Sequence, residues 1–252
     1  MNNARVAGLG LLGTALLSLA GWCAAAQKPA TQPVPDVTPT EPDSDGDRDR
    51  RRRLRPWREM IGQAAGPGKP VEGGKTSPDG TEEIACDLPA AEKKKNVGGR
   101  DGAGLCVFTS IEYAARWQNE LKLFNFQQQM RAELGGGYPE KVDKMIAKYG
   151  PGTRYLQYEG NDLSILKAAI KTGRMPGVTY NGYDPHYRGS IAHMVSLAHI
   201  SDKWAAITDN NFPGDSQFVW MSIDEFKRRW MGGRSGWAVV LLSPPPPPVP
   251  VN

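Results

Sequence analysis

Cys106, three histidines and an Asp-Asn pair occur in an order that suits nucleophilic chemistry. Cys106 ends the run Gly99-Arg100-Asp101-Gly102-Ala103-Gly104-Leu105. After it, Phe108, Ile111, Ala114, Ala115 and Leu121 recur at helical spacing. The thiolate is the attacking form of cysteine, and an unperturbed thiol ionises only near pH ~8.5. The first turn of a helix presents unpaired N–H groups and a positive dipole end, so a cysteine there is favoured as thiolate. The preceding glycines let backbone and substrate approach closely and supply N–H groups for an oxyanion. Thr109 and Glu112 also form a capping-box pattern, which would start the helix later and leave Cys106 in the loop.

A thiolate mechanism needs a base and a group to orient it. The histidines are His186, His193 and His199. His186 lies in the loop-like NGYDPHYRGS stretch. His199 ends a strand on the same side as Val195 and Leu197, which points to a structural role. His193 opens that strand after the Gly189-Ser190 turn, at a mouth that can face a site. The next strand, residues 204–208, ends in Asp209-Asn210-Asn211, so a hairpin brings Asp209 or Asn210 back beside His193. A metal site built from Asp184, His186, His193 and Asp209 is the alternative chemistry, but these ligands are scattered and lack a tight pairing.

The elements that must hold these residues fall in one stretch, residues 82–243. Pro139 starts a second helix that Gly150-Pro151 stops, and Asp162 caps a third through Thr172. Residues 176–180, 192–200, 204–208 and 237–242 read as strands. Ser222 and Glu225 form a capping box that opens a short helix through Trp230. Helices first and strands second imply an α+β domain, its helical part packed on a bent antiparallel sheet.

Outside that stretch the composition changes. Residues 1–26 carry Arg5, an apolar run and small residues at Ala24 and Ala26, the pattern of a cleaved secretory signal. The apolar run is too short for a stable membrane anchor. This implies an exported protein, periplasmic or extracellular, that keeps Cys86 and Cys106. Residues 27–81 hold prolines, glycines and a DSDGDRDRRRR block, and read as a disordered linker. Acidic residues interleave the arginines and no aromatic platform accompanies them, so no nucleic-acid partner is expected. The net charge of +4 decides nothing. Residues 244–252 form a proline-rich tail.

The ordered set of Gly104-Leu105-Cys106, His193-Met194-Val195 and residues 204–209 resembles the papain-like cysteine peptidases. It is nearest in style to the bacterial subset that includes bacteriocin-processing peptidase domains. Residues 86–98 also resemble the opening segment of the mature enzymes. The resemblance implies a papain-like fold with the catalytic cysteine at a helix start. It also implies a Cys106–His193–Asp209 (or Asn210) triad working through a thioester, a peptide or protein substrate, no cofactor and a monomer. The family places a glutamine six residues before the cysteine as oxyanion donor. Arg100 stands there, leaving Arg100, Asn96 or the backbone around Gly104 to serve. The family's tryptophan after the orienting residue is also missing, and Phe212 is the substitute at hand. An inactive domain serving as a binding module, or another Cys-His-Asp acyl transferase or cell-wall amidase, is the alternative reading.

Overall fold

The β-rich second half of the chain builds most of one antiparallel sheet, two short strands of the first half form its edges, and helices pack on its two faces. The computed structural model describes residues 3–7, 71–184, 186–214, 218–232 and 235–244, all in one unit. The strands are β1 Asn3–Ala7, β2 Val71–Gly73, β3 Tyr155–Gly160, β4 Gly177–Asp184, β5 Gly189–Ile200, β6 Trp204–Thr208, β7 Phe218–Ser222 and β8 Gly236–Leu241. Their order is β1-β3-β8-β4-β5-β6-β7-β2, every neighbouring pair antiparallel. The helices are α1 Cys106–Trp117, α2 Phe126–Met130, α3 Pro139–Tyr149, α4 Ser164–Lys171 and α5 Ile223–Met231. The chain is thus α+β, as its patterning implies.

Alternation along the strands divides the core. Val178, Tyr180, Val195 and Leu197 pack with Tyr113, Phe226 and Trp230 on one face. Met194, Val239 and Leu241 pack with Leu105, Phe108, Ile111 and Phe126 on the other. Helix α1 packs close on the sheet at Gly177, where an added Cβ would stand 3.3 Å from Ser110 Cβ and from Met194 Sδ. Ser222 caps α5 by accepting the Glu225 N–H, and Gly232 ends it at φ 55°.

Three features depart from the sequence expectations. Strand β5 begins at Gly189, three residues before the expected start, because the β4–β5 ladder continues to Asp184↔Gly189. Residues 181–190, which read as a loop, are largely the end of that hairpin. Asp184 Oδ1 accepts the His186 N–H (2.8 Å) and Arg188 turns at φ 52°. Backbone pairing there needs no apolar alternation, which is why the pattern is silent.

The second departure is the domain boundary. Residues 71–81 are structured, so the expected linker of 27–81 is too long by that segment; residues 27–70 lie outside the described residues. The Trp220 indole donates to Gly74 O (2.9 Å), Lys203 pairs with Asp79, and His199 Nε2 meets Glu82 Oε2 at 2.8 Å. The amides of Ala85 and Cys86 both donate to Ala198 O, the carbonyl at the β5 bulge. Hydrogen bonds hold this segment, so its low apolar content misleads. The third is at the N-terminus, where Asn3–Ala7 pair with β3 as an edge strand. The rest of the expected signal segment, residues 1–2 and 8–26, lies outside the described residues, as does most of the proline-rich tail.

Arg229 is 2% exposed and donates to Asp184 Oδ2 (3.0 Å) and Glu225 Oε1 (2.6 Å), tying α5 to the end of β4. Replacing one partner of such a pair strands the other charge. Arg229→Met is expected to destabilise the fold by about 3 kcal/mol, measured by urea denaturation. A chain beginning at Glu82 is expected to melt several degrees below one beginning at Val71, since it lacks β2 and the bonds from Gly74 to Trp220 and from Asp79 to Lys203; equal melting temperatures would contradict the revised boundary.

Candidate active site

Cys106 is the first residue of α1, so the dipole argument applies to it directly. The alternative start at Thr109 does not occur. The Thr109 hydroxyl donates to Leu105 O (2.9 Å) inside the helix and accepts from Gln127 Nε2 (2.6 Å). Glu112 instead receives Arg116 Nε (3.0 Å) and the Gln127 N–H (2.9 Å).

The glycine run folds into a tight return. Gly98 and Gly104 form a bridge, Gly99 N–H donates to Ala103 O (2.8 Å), and Gly102 sits at φ 79°, where a side chain would be strained. A second glycine loop packs across it. Gly135 N–H donates to Asp101 Oδ2 (2.5 Å), and an added Cβ at Gly137 would stand 2.3 Å from Val107 Cβ.

His193 lies within β5 rather than at its mouth, yet it reaches the thiol because β6 stops short. The last β5–β6 pair is Ser196↔Thr208. Beyond it the first turn of α1 lies where the next stretch of strand would be. The Met194 N–H points to the Cys106 sulphur, as does the Val107 N–H. Met194 O accepts from Ser110 Oγ (3.1 Å) and Asn210 Nδ2 (2.9 Å). His193 Nε2 meets Asp209 Oδ1 at 2.9 Å, and the imidazole hydrogen-bonds the Cys106 thiol. The structure therefore brings Cys106, His193 and Asp209 together.

Asn210 has a different place from the one its spacing leaves open. It is fully buried, and Nδ2 donates to Met194 O, Ser110 Oγ (2.9 Å) and Cys106 O (3.1 Å). It ties the helix start to the sheet and does not touch the imidazole. Of the oxyanion candidates, Arg100 is exposed at the tip of the glycine turn. Asn96 is committed to the framework: Oδ1 accepts the Leu105 N–H (3.1 Å) and Nδ2 donates to Asn211 Oδ1 (2.9 Å). Gly104 holds the base of the turn. The Cys106 N–H, among the amides a helix start leaves without an intrahelical acceptor, remains the donor nearest the chemistry.

Sequence patterning does not single out Tyr187 or Asn211, yet both belong to the site. The Tyr187 hydroxyl donates to Asp209 Oδ2 (2.6 Å), and its ring lies 5.9 Å from that of His193. Asn211 N–H donates to Asp209 Oδ1 (2.8 Å). Phe212 does not cover His193; it packs on His186 (3.9 Å) and Tyr187 (5.3 Å), and Tyr187 is the aromatic next to the imidazole. The signal for Tyr187 is the hairpin itself, whose return carries its tip back over residue 209. His186 pairs with Glu72 and His199 with Glu82, both apart from the thiol.

The electrostatics follow from depth and pairing. His193 and Asp209 are 8% and 7% exposed. Burial opposes ionisation of Cys106, but the imidazole and the two amides outweigh it and hold the thiol below its ordinary value. Burial likewise disfavours the imidazolium, yet Asp209 and Cys106 raise His193 to about 9. Burial works against the Asp209 carboxylate too, and His193, Tyr187 and the Asn211 amide keep it below the usual range. Cys86 has only the Trp117 indole to favour its anion: burial outweighs it and pushes the thiol up to about 12, beside Arg174 O. Both cysteines are free.

Against known proteins, no family profile and no curated sequence matches this chain. Among the described residues no helix is long and apolar enough to cross a membrane. Also among them, no group of three or more His, Cys, Asp or Glu is placed to hold a metal ion; Asp184 is spent on Arg229 and Tyr180.

Two measurements check this site. Iodoacetamide should label Cys106 at pH 6 roughly tenfold faster than an ordinary thiol, because the thiolate persists there, while Cys86 stays unlabelled in the folded chain. Gly137→Ala should slow that labelling several-fold, since the new methyl must push the second glycine loop off the helix start.

Proposed function

We propose that this chain is an exported papain-like cysteine peptidase or amide hydrolase. The observation that supports it is a cysteine on the first turn of a helix, hydrogen-bonded to a buried imidazole whose far nitrogen meets a buried carboxylate. On this reading Cys106 attacks a peptide or amide carbonyl as thiolate, and a tetrahedral oxyanion forms against the Cys106 N–H. His193, charged in the resting pair, gives its proton to the leaving amine, and the C–N bond breaks to leave a thioester. A water then enters, His193 takes its proton, the hydroxide adds to the thioester carbonyl, and the C–S bond breaks to release the acid and restore the thiolate–imidazolium pair. Asp209 holds the imidazole by Nε2, so the other nitrogen faces sulphur through the cycle. The export reading rests on residues 1–26, and the peptide substrate on the resemblance.

Digestion of a peptide library by the purified chain, with mass-spectrometric search for an acyl adduct on Cys106, tests the proposal. Cys106→Ala and His193→Ala are expected to abolish turnover, while His199→Ala lowers only the melting temperature. Turnover is expected to fall as the pH rises through about 9, where His193 loses the proton that the leaving amine needs. Absence of both cleavage and adduct would leave the binding-module reading in its place.

A further inference from the structure

We propose that Tyr187 is a positioning residue of the Cys106–His193 pair, the middle member of a side-chain ring that ties the base to the turn carrying the nucleophile. The inference rests on the reading of Cys106 as a nucleophile. The ring can be followed bond by bond. Leu105, next to Cys106, donates its N–H to Asn96 Oδ1 (3.1 Å), and Asn96 Nδ2 donates to Asn211 Oδ1 (2.9 Å). Asn211 Nδ2 donates to Tyr187 Oη (2.8 Å), whose O–H donates to Asp209 Oδ2 (2.6 Å). Asp209 Oδ1 meets His193 Nε2 (2.9 Å), and the imidazole bonds the Cys106 thiol.

Each link has a defined direction. A phenol has one proton, and here it goes to Asp209, because the amide of Asn211 donates to the phenol oxygen. With Oδ2 held by Tyr187 and Oδ1 by His193 and the Asn211 N–H, the carboxylate plane cannot turn. Without the phenol, Oδ2 would be left without this donor at a 7% exposed residue. The loop that carries Tyr187 is itself anchored from below. Arg229 holds Asp184, and Asp184 Oδ1 takes the N–H of His186. Tyr187 is thereby fixed from two sides, by α5 through Asp184 and by Asn211.

The test reads the pH dependence of Cys106 alkylation by iodoacetamide in the full chain. The titratable groups facing this cluster are Cys106, His193, Asp209, Tyr113, Asp184 and His186. Tyr187→Phe keeps the ring packing and removes only the O–H. It is expected to slow alkylation at pH 6 by roughly tenfold and to move the acid limb of the profile upward, with melting within a few degrees of the parent. Tyr183→Phe makes the same chemical change at an exposed tyrosine on β4 and is expected to leave the profile unchanged. If Tyr187→Phe melts far lower, Asn211→Ala leaves the phenol's packing in place, removes the amide that aims it, and carries the same expectation. An activated parent whose profile the variant leaves unmoved would overturn the role of Tyr187 alone. A parent in which Cys106 reacts as an ordinary thiol would overturn the nucleophile reading and this inference together.

Discussion

Everything at the site depends on a strand edge that no strand covers. Strand β6 leaves β5 at Ser196↔Thr208, and two residues earlier the Met194 N–H and C=O face the interior without a β partner. Leaving such backbone groups unpaired costs about 1–3 kcal/mol each. Helix α1 satisfies them with its first turn: the Cys106 sulphur takes the N–H, and Ser110 with Asn210 serves the carbonyl. The bonds that complete the sheet are thus the ones that fix the thiol. Gly177 makes this approach possible, because any side chain there would meet Ser110 and Met194.

The two cysteines isolate what sets a thiol's character in this protein. Both are largely withdrawn from water, and for both burial alone favours the neutral form. Cys86 donates to a carbonyl oxygen, which favours the neutral thiol, and the Trp117 indole beside it is too weak a donor to overcome burial. Cys106 faces two amides and an imidazole, all of which donate to an anion. Depth is shared and the donor sets differ, one indole against an imidazole and two amides, so the donors decide the sign. The same reasoning makes the charged groups interdependent. His193 keeps its proton in a poorly hydrated place only while Asp209 and Cys106 flank it, and Asp209 stays ionised there only while three donors surround it.

Local chemistry makes some elements readable from the sequence alone. Pro139 opens α3, Ser222 with Glu225 opens α5, and the apolar run 204–208 is β6 as expected. The partnership of His193 with the end of β6 is also legible, because a short hairpin can only bring its far end back beside its start. Other parts are silent for physical reasons. Strand β3 reads YLQYEG and carries polar residues, since Gln157 spends its amide on Asp143 and Pro139 O rather than on water. Helix α2 is five residues long, too short for a periodic signal. Thr109 and Glu112 imitate a cap because capping and interior back-bonding use the same side chains; only their partners, Leu105 O and Gln127, distinguish the two.

The choice between Asp209 and Asn210, which spacing alone leaves open, follows from what each position must offer. Residue 209 faces His193 Nε2, the Tyr187 hydroxyl and the Asn211 amide. With Asp209 ionised and His193 protonated these are all donors, so the position requires an acceptor that can take several bonds, and a carboxylate is the side chain that accepts without donating. Residue 210 faces Met194 O and Cys106 O, which are only acceptors, so it requires N–H groups. An amide supplies them uncharged, in a place with no exposure where a lysine or arginine would bury a net charge. The order Asp-Asn is therefore set by the two surfaces the chain meets as it leaves β6. One turns toward the imidazole and the other toward the start of α1.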